Sequence, residues 1–257
     1  MRPPYRRPPL ARRIFTALAL LAAAAARADE VTVAVAANFA GPLRQIAEGF
    51  RATTGHVLRA SAGATGKFYT QIVAGGAPFE VLIAADDETP RQLVAEGHAV
   101  AGSAFTYAIG QLVLWSAQPD LVDAQGAVLD SGRFTKLAIA NPRTAPYGAA
   151  ALAVLKARGL AETLAPRLVT ANSIGQAHQF VASGNAELGF VALSQVAVPG
   201  QPAAGSVWRV PQGLYRELRQ DAVLLKAGER KPAAQALLQY LKSPAAQAVI
   251  AAYGYRH

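Results

Sequence analysis

The chain has 257 residues, 52% of them apolar, no cysteine, and 25 Lys+Arg against 16 Asp+Glu, for a formal charge of +9. Without cysteine there are no disulfides, no thiolate chemistry and no lipid carried on a mature N-terminal cysteine. The basic balance does not indicate nucleic-acid binding: residues 1–28 hold 6 of the Lys+Arg and none of the Asp+Glu, leaving 19 against 16, a net of +3, scattered rather than gathered on one stripe.

Residues 1–28 place arginines ahead of an apolar stretch, Ile14 to Ala25, and close on Ala26-Arg27-Ala28. This is the order of a secretory signal, with cleavage expected after Ala28. The stretch is too short and too Ala-rich for a membrane anchor, and no later apolar run is long enough to span a bilayer. A periplasmic protein without stable membrane insertion is expected. The remaining chain is long enough for one sizeable core or two modest ones.

Beyond the signal, Val31–Ala37 is apolar without polar alternation, as in a parallel strand covered on both faces. Leu43, Ile46, Ala47 and Phe50 then recur at helical spacing after Pro42, a residue suited to a first helical turn. Asn38 therefore stands where a strand's carboxyl end meets a helix, the usual ligand position in an open α/β sheet. Further strands are expected at His56–Ser61, Val81–Ala84, Leu112–Ser116, Leu137–Ala140, Leu188–Ala192, Ser206–Val210 and Ala222–Lys226. Helices are expected at Pro42–Ala52, Lys67–Val73, Pro90–Glu96, Gly148–Arg158, Gly175–Ser183, Pro232–Leu241 and Pro244–Tyr253. The alternation predicts an α/β fold. Phe105–Leu112 and Leu218–Leu224 read as crossings between two domains, though spacing alone leaves the pairing of the terminal pieces open.

Four junctions offer small or neutral donor-bearing residues and no charge: Ala37-Asn38-Phe39, Gly63-Ala64-Thr65-Gly66, Ala145-Pro146-Tyr147-Gly148 and Asn172-Ser173-Ile174-Gly175. The first turn of a helix leaves N–H groups unpaired and favours negative charge. Several converging termini can therefore hold an oxyanion without a salt bridge. Any single junction is equally an ordinary cap, since Asn, Ser and Thr are common there; Tyr147 is not a capping residue.

Other signals are weaker. Gly63 to Lys67 lacks the Walker spacing and has Phe68 where a hydroxyl is needed. Lys67 reads as a solvated helix residue, with anion steering as its alternative role. Asp86-Asp87-Glu88 suits a helix start better than a metal site. The four histidines show no zinc spacing, no nucleophile elbow occurs, and Trp115 and Trp208 suit core strands.

Taken together, AANFAGPLRQIAEGF, GATGKFYTQIVAGGAPFEVLIAADDE, IANPRTAPYGAAALAVL, ELGFVALSQ and YLKSPAAQAVIAAYGY resemble the periplasmic molybdate-binding proteins of ABC importers along nearly the whole mature chain. The resemblance implies a two-lobed periplasmic binding protein, each lobe a mixed sheet flanked by helices, joined by two hinge crossings. The expected division is signal 1–28, first lobe 29–108 with 222–257, and second lobe 109–221. It places Asn38, Thr65, Tyr147 and the backbone of Ile174 on the anion. Ala192 stands where another branch has a tyrosine, and Ala64 where a second serine is frequent. It also implies molybdate, and tungstate, as ligand, an ABC permease and its ATPase as partners, a monomer, no catalysis, no cofactor and no direct cation ligand. A site of neutral donors suits a fully deprotonated dianion, whereas phosphate near neutral pH keeps a proton and needs an acceptor. The alternatives are a sulfate or other tetrahedral oxyanion receptor and an exported hydrolase using Ser173 or Thr65.

Overall fold

The computed structural model describes residues 29–201 and 204–256, so the expected signal lies outside the described residues. The strands are β1 Glu30–Ala36, β2 Val57–Gly63, β3 Val81–Ile83, β4 Phe105–Gly110, β5 Leu112–Ser116, β6 Leu137–Ala140, β7 Leu168–Ala171, β8 Leu188–Ala192, β9 Ser206–Arg209 and β10 Leu218–Leu224. Helices of eight residues or more are α1 Ala40–Thr54, α2 Thr65–Val73, α3 Glu88–Ala95, α4 Pro146–Ala157, α5 Ile174–Ala182, α6 Pro232–Leu241 and α7 Pro244–Ala252. A 3-10 turn, Ala37–Phe39, joins β1 to α1.

The strands form two five-stranded sheets of the same design, ordered β2-β1-β3-β10-β4 and β7-β6-β8-β5-β9. In each, three parallel strands continue into two antiparallel ones. The period-two alternation of β1 explains how the first sheet is covered. Val31, Val33 and Val35 pack with Leu43, Ile46 and Phe50 of α1 and Leu237 of α6 on one face. Ala34 faces the other way, into Phe68 of α2 and Leu93 of α3. Helix α1 ends where Gly55 takes a left-handed φ of 77° and donates to Arg51 O at 2.8 Å, the ordinary glycine stop. The second sheet has its own core, built on Leu114, Ile139, Val154 and Phe190. Trp115 and Trp208 belong to it; Trp115 stacks on His178 at 4.9 Å.

The chain passes between the sheets at Gln111 and again along the connection from β9 to β10. Gln111 falls inside the expected crossing Phe105–Leu112, most of which is β4; the other expected crossing, Leu218–Leu224, is β10, and the two strands pair with each other at the edge of the first sheet. Ile109, Gly110 and Leu218–Asp221, which the expected division placed in the second lobe, pair in that first sheet. β4 carries one extra residue there: Gln220 pairs with Ala108 and Asp221 with Thr106, so Tyr107 is bulged. A bulge of this kind re-aims side chains, and it turns the hydroxyl of Tyr107 onto Gln220.

Candidate functional site

Asn38, Thr65, Tyr147 and Ile174 all line one cavity between the two sheets, together with Ala37, Gly63, Ala64, Ala85, Ala145 and Pro146. Each of the four is nearly inaccessible, at 1%, 1%, 1% and 4% exposure respectively. The cavity measures about 10 Å³, room on the scale of one water. A four-oxygen anion needs its two walls to part. A larger groove of about 350 Å³ lies alongside, lined by Arg143, Arg216 and Arg219 with Asp86, Asp87 and Glu88. Its charges are mixed and partly paired, as Arg216 is with Asp87 and Glu88, whereas no ionisable acid or base other than Tyr147 lines the smaller cavity.

Each junction is a helix start, and the sequence explains why. Pro146 opens α4 without an N–H to strand, and the first intrahelical bonds run from Gly148 and Ala149 to Ala145 O, leaving Tyr147 N–H without an intrahelical partner. In α5 the Ser173 side chain caps Gln176 N, and Ala177 N donates to Ser173 O; Ile174 and Gly175 precede those bonds. In α2, Lys67 and Phe68 both donate to Ala64 O. The Thr65 hydroxyl accepts from Ala85 N at 3.0 Å, which leaves its own hydrogen for the cavity.

A buried polar network backs this wall. Tyr147 Oη accepts from Gln220 Nε2 at 3.0 Å, and its own hydrogen has no acceptor among the described residues. Gln220 Oε1 accepts from Asn38 Nδ2 at 2.9 Å and lies 2.9 Å from Tyr107 Oη, whose single hydrogen is shared between it and Ala84 O at 2.8 Å. Asn38 Nδ2 also donates to Tyr255 Oη at 2.9 Å, while Ser194 Oγ and Tyr255 Oη bond Asn38 O at 2.9 and 3.0 Å. The side-chain donors of Asn38 are thus held inside the protein, and its Oδ1 is buried without a protein partner among the described residues. Gln220, Tyr107, Ser194 and Tyr255 escape a sequence reading focused on helix starts. The usable signal was Gln220 at alternate positions with Leu218, Ala222 and Leu224, a polar residue in an apolar register.

Two further contacts join the halves at the cavity rim: Gly66 N donates to Thr144 O at 2.9 Å, and Lys67 Nζ to Asn172 Oδ1 at 3.0 Å. Lys67 is exposed, as expected, but it bridges the cleft instead of standing free in solvent. Among the described residues no cluster of His, Cys, Asp or Glu suits a metal ion.

Burial raises the phenol pKa of Tyr107, Tyr147 and Tyr255. All three stay protonated donors well past the ordinary value of about 10. Oxyanion affinity is therefore expected to be flat from about pH 6 to about pH 9, with no phenol titrating in that range. Stability follows a different rule: as pH rises through about 10, the unfolded chain releases phenol protons that the folded chain retains, so the folded state loses ground. Calorimetric titrations and thermal melts across this range check both; an affinity midpoint near pH 8 contradicts the assignment.

The family model described as bacterial extracellular solute-binding protein matches residues 31–256. The chain is 59% identical to the molybdate-binding protein ModA of Azotobacter vinelandii over 96% of this chain and 97% of that one. It is 52% identical to ModA of Rhodobacter capsulatus over 93% and 94% of the two. Its fold superposes on the solved Azotobacter vinelandii periplasmic molybdate-binding protein with a TM-score of 0.86 at 45% identity, covering 88% of this chain and 99% of that one.

Proposed function

Because the chain belongs to the bacterial extracellular solute-binding protein family, we propose that it captures molybdate in the periplasm for an ABC importer. The observation that carries this reading is the convergence of four neutral helix starts, two from each half, on one buried cavity without Lys or Arg in its lining. The high identity to proteins named as molybdate-binding supports the choice of ion. In this reading Thr65 and Tyr147 donate through their hydroxyls, Tyr147 and Ile174 through their backbone N–H groups, and Asn38 organises the floor. Hydrogen bonds to a charged group contribute about 1.5–3 kcal/mol each, so a handful suffices for micromolar binding or better. Tungstate, of nearly the same size, binds similarly.

The first lobe is residues 29–108 with the C-terminal segment, widened to include β4 and β10; the second is built on β5–β9. Parting of these lobes admits the anion, and closure presents an occupied surface to the permease and its ATPase. The protein acts as a monomer, after removal of residues 1–28, and catalyses no reaction. A hydrolase reading has no support at Thr65 or Ser173: each hydroxyl accepts from a backbone N–H, of Ala85 and Gln176 respectively, and among the described residues neither is hydrogen-bonded to a histidine that could take its proton.

A thermal-shift panel of molybdate, tungstate, sulfate, phosphate and arsenate tests the reading, since a ligand of the native state raises its melting temperature. Molybdate and tungstate are expected to stabilise most. Phosphate is the informative competitor, because Asn38 Oδ1 is an acceptor that a protonated oxyanion could use. Tyr147→Phe removes one donor and is expected to weaken molybdate by about 1.5–3 kcal/mol with the fold intact. Titration calorimetry checks it; unchanged affinity removes Tyr147 from the contact set.

A further inference from the structure

We propose that Gln220 is a positioning residue that aims the Tyr147 hydroxyl at the bound anion, an inference resting on the oxyanion reading of the cavity. Gln220 sits on β10, in the strand pair beside the crossing, and is 0% exposed. Its amide has one acceptor end and one donor end. The acceptor end is engaged by Asn38 Nδ2, and Tyr107 Oη, whose single hydrogen is shared with Ala84 O, lies beside it, so the donor end faces Tyr147 Oη across the two halves. A phenol oxygen that accepts one bond directs its single hydrogen elsewhere, and here the cavity is the open direction.

Two local features accommodate this contact. The extra residue in β4 brings Tyr107 onto Gln220. At Gly110, a Cβ would lie 2.2 Å from Tyr147 Oη and 2.3 Å from Gln220 Nε2, so glycine leaves the space in which the two meet.

The isosteric variant Gln220→Glu separates aiming from filling. While its introduced carboxyl is neutral it keeps a donor for Tyr147; once ionised it is acceptor-only and draws the Tyr147 hydrogen off the ligand. Molybdate affinity of Q220E is expected near wild type at acidic pH and to fall about tenfold or more as pH rises, with the wild type flat. At the alkaline end Tyr147→Phe adds less than about threefold in the Q220E background, against about tenfold or more in wild type. Q220E that fails to fold is replaced by Gln220→Met, in which the loss of aim weakens molybdate about tenfold at every pH. A flat Q220E profile, additive effects of Q220E and Tyr147→Phe, or wild-type affinity in Gln220→Met each overturns the inference alone. Full-strength binding by Tyr147→Phe also overturns it, and is the result expected if both amides are turned by half a rotation so that Asn38 Nδ2 faces the ligand. Absence of molybdate binding by the wild type overturns the oxyanion reading itself.

Discussion

Gly110→Ala is expected to weaken molybdate by about 100-fold or more while leaving both cores folded. The added methyl group would sit 2.2 Å from Tyr147 Oη and 2.3 Å from Gln220 Nε2. Neither can simply swing aside. The Tyr147 ring is 1% exposed at the first turn of α4, and Gln220 is held by Asn38 and Tyr107. Overpacking of this kind costs about 1–3 kcal/mol on its own. Here its strain falls on the bond that joins the two halves at the ligand, so closure and the Tyr147 donor suffer together. Calorimetry with a thermal melt separates the outcomes: near wild-type affinity would mean that Tyr147 and Gln220 do not need to meet.

Asn38→Asp has the larger electrostatic effect. Asn38 Nδ2 serves both Gln220 Oε1 and Tyr255 Oη, and a carboxylate can donate to neither. It also sets a negative charge in the wall facing a dianion, where each pair of unit charges about 4 Å apart costs about 4 kcal/mol at an effective dielectric of about 20. Molybdate binding is expected to fall by about three orders of magnitude or more at pH 8. Burial and the neighbouring anion both raise the pKa of the introduced carboxyl, so acidification neutralises it and part of the affinity returns. A loss of only a few-fold at pH 8 would place Asn38 outside the ligand's field.

Where the sequence was legible, local chemistry and tertiary context agreed. The apolar run of β1, the helical spacing of Leu43, Ile46 and Phe50, and the helices expected from Lys67, Gly148 and Gly175, which begin one or two residues earlier at Thr65, Pro146 and Ile174, required no knowledge of distant partners. The α/β class followed from the alternation of such segments. The failures came where burial depends on remote pairing. Phe105–Gly110 and Leu218–Leu224 are strands because they pair with each other from about one hundred residues apart, and the bulge at Tyr107 breaks the alternation that would have marked them. β7 escaped notice because it is a half-exposed edge with little pattern. The rear of the site shares that limitation. Gln220 lies between Arg219 and Asp221, and its place in the apolar register of Leu218, Ala222 and Leu224 marks it as buried only once β10 is recognised as a strand, while Tyr255 reaches Asn38 from the far end of the chain. The residues lining the cavity announce themselves at helix starts; those that orient them are supplied by strands and termini.

The absence of positive charge gives the central claim its physical content. Lys67 and the groove arginines stand outside the lining, so in the proposed reading affinity rests on hydrogen-bond donors held in a small, buried cavity, where salt screens little. The direct measurement is titration of the mature protein with molybdate, repeated in the presence of a large excess of sulfate. The account predicts a one-to-one complex of micromolar affinity or tighter that sulfate barely displaces. Sulfate binding as tight as molybdate, or no heat with either anion, would contradict it.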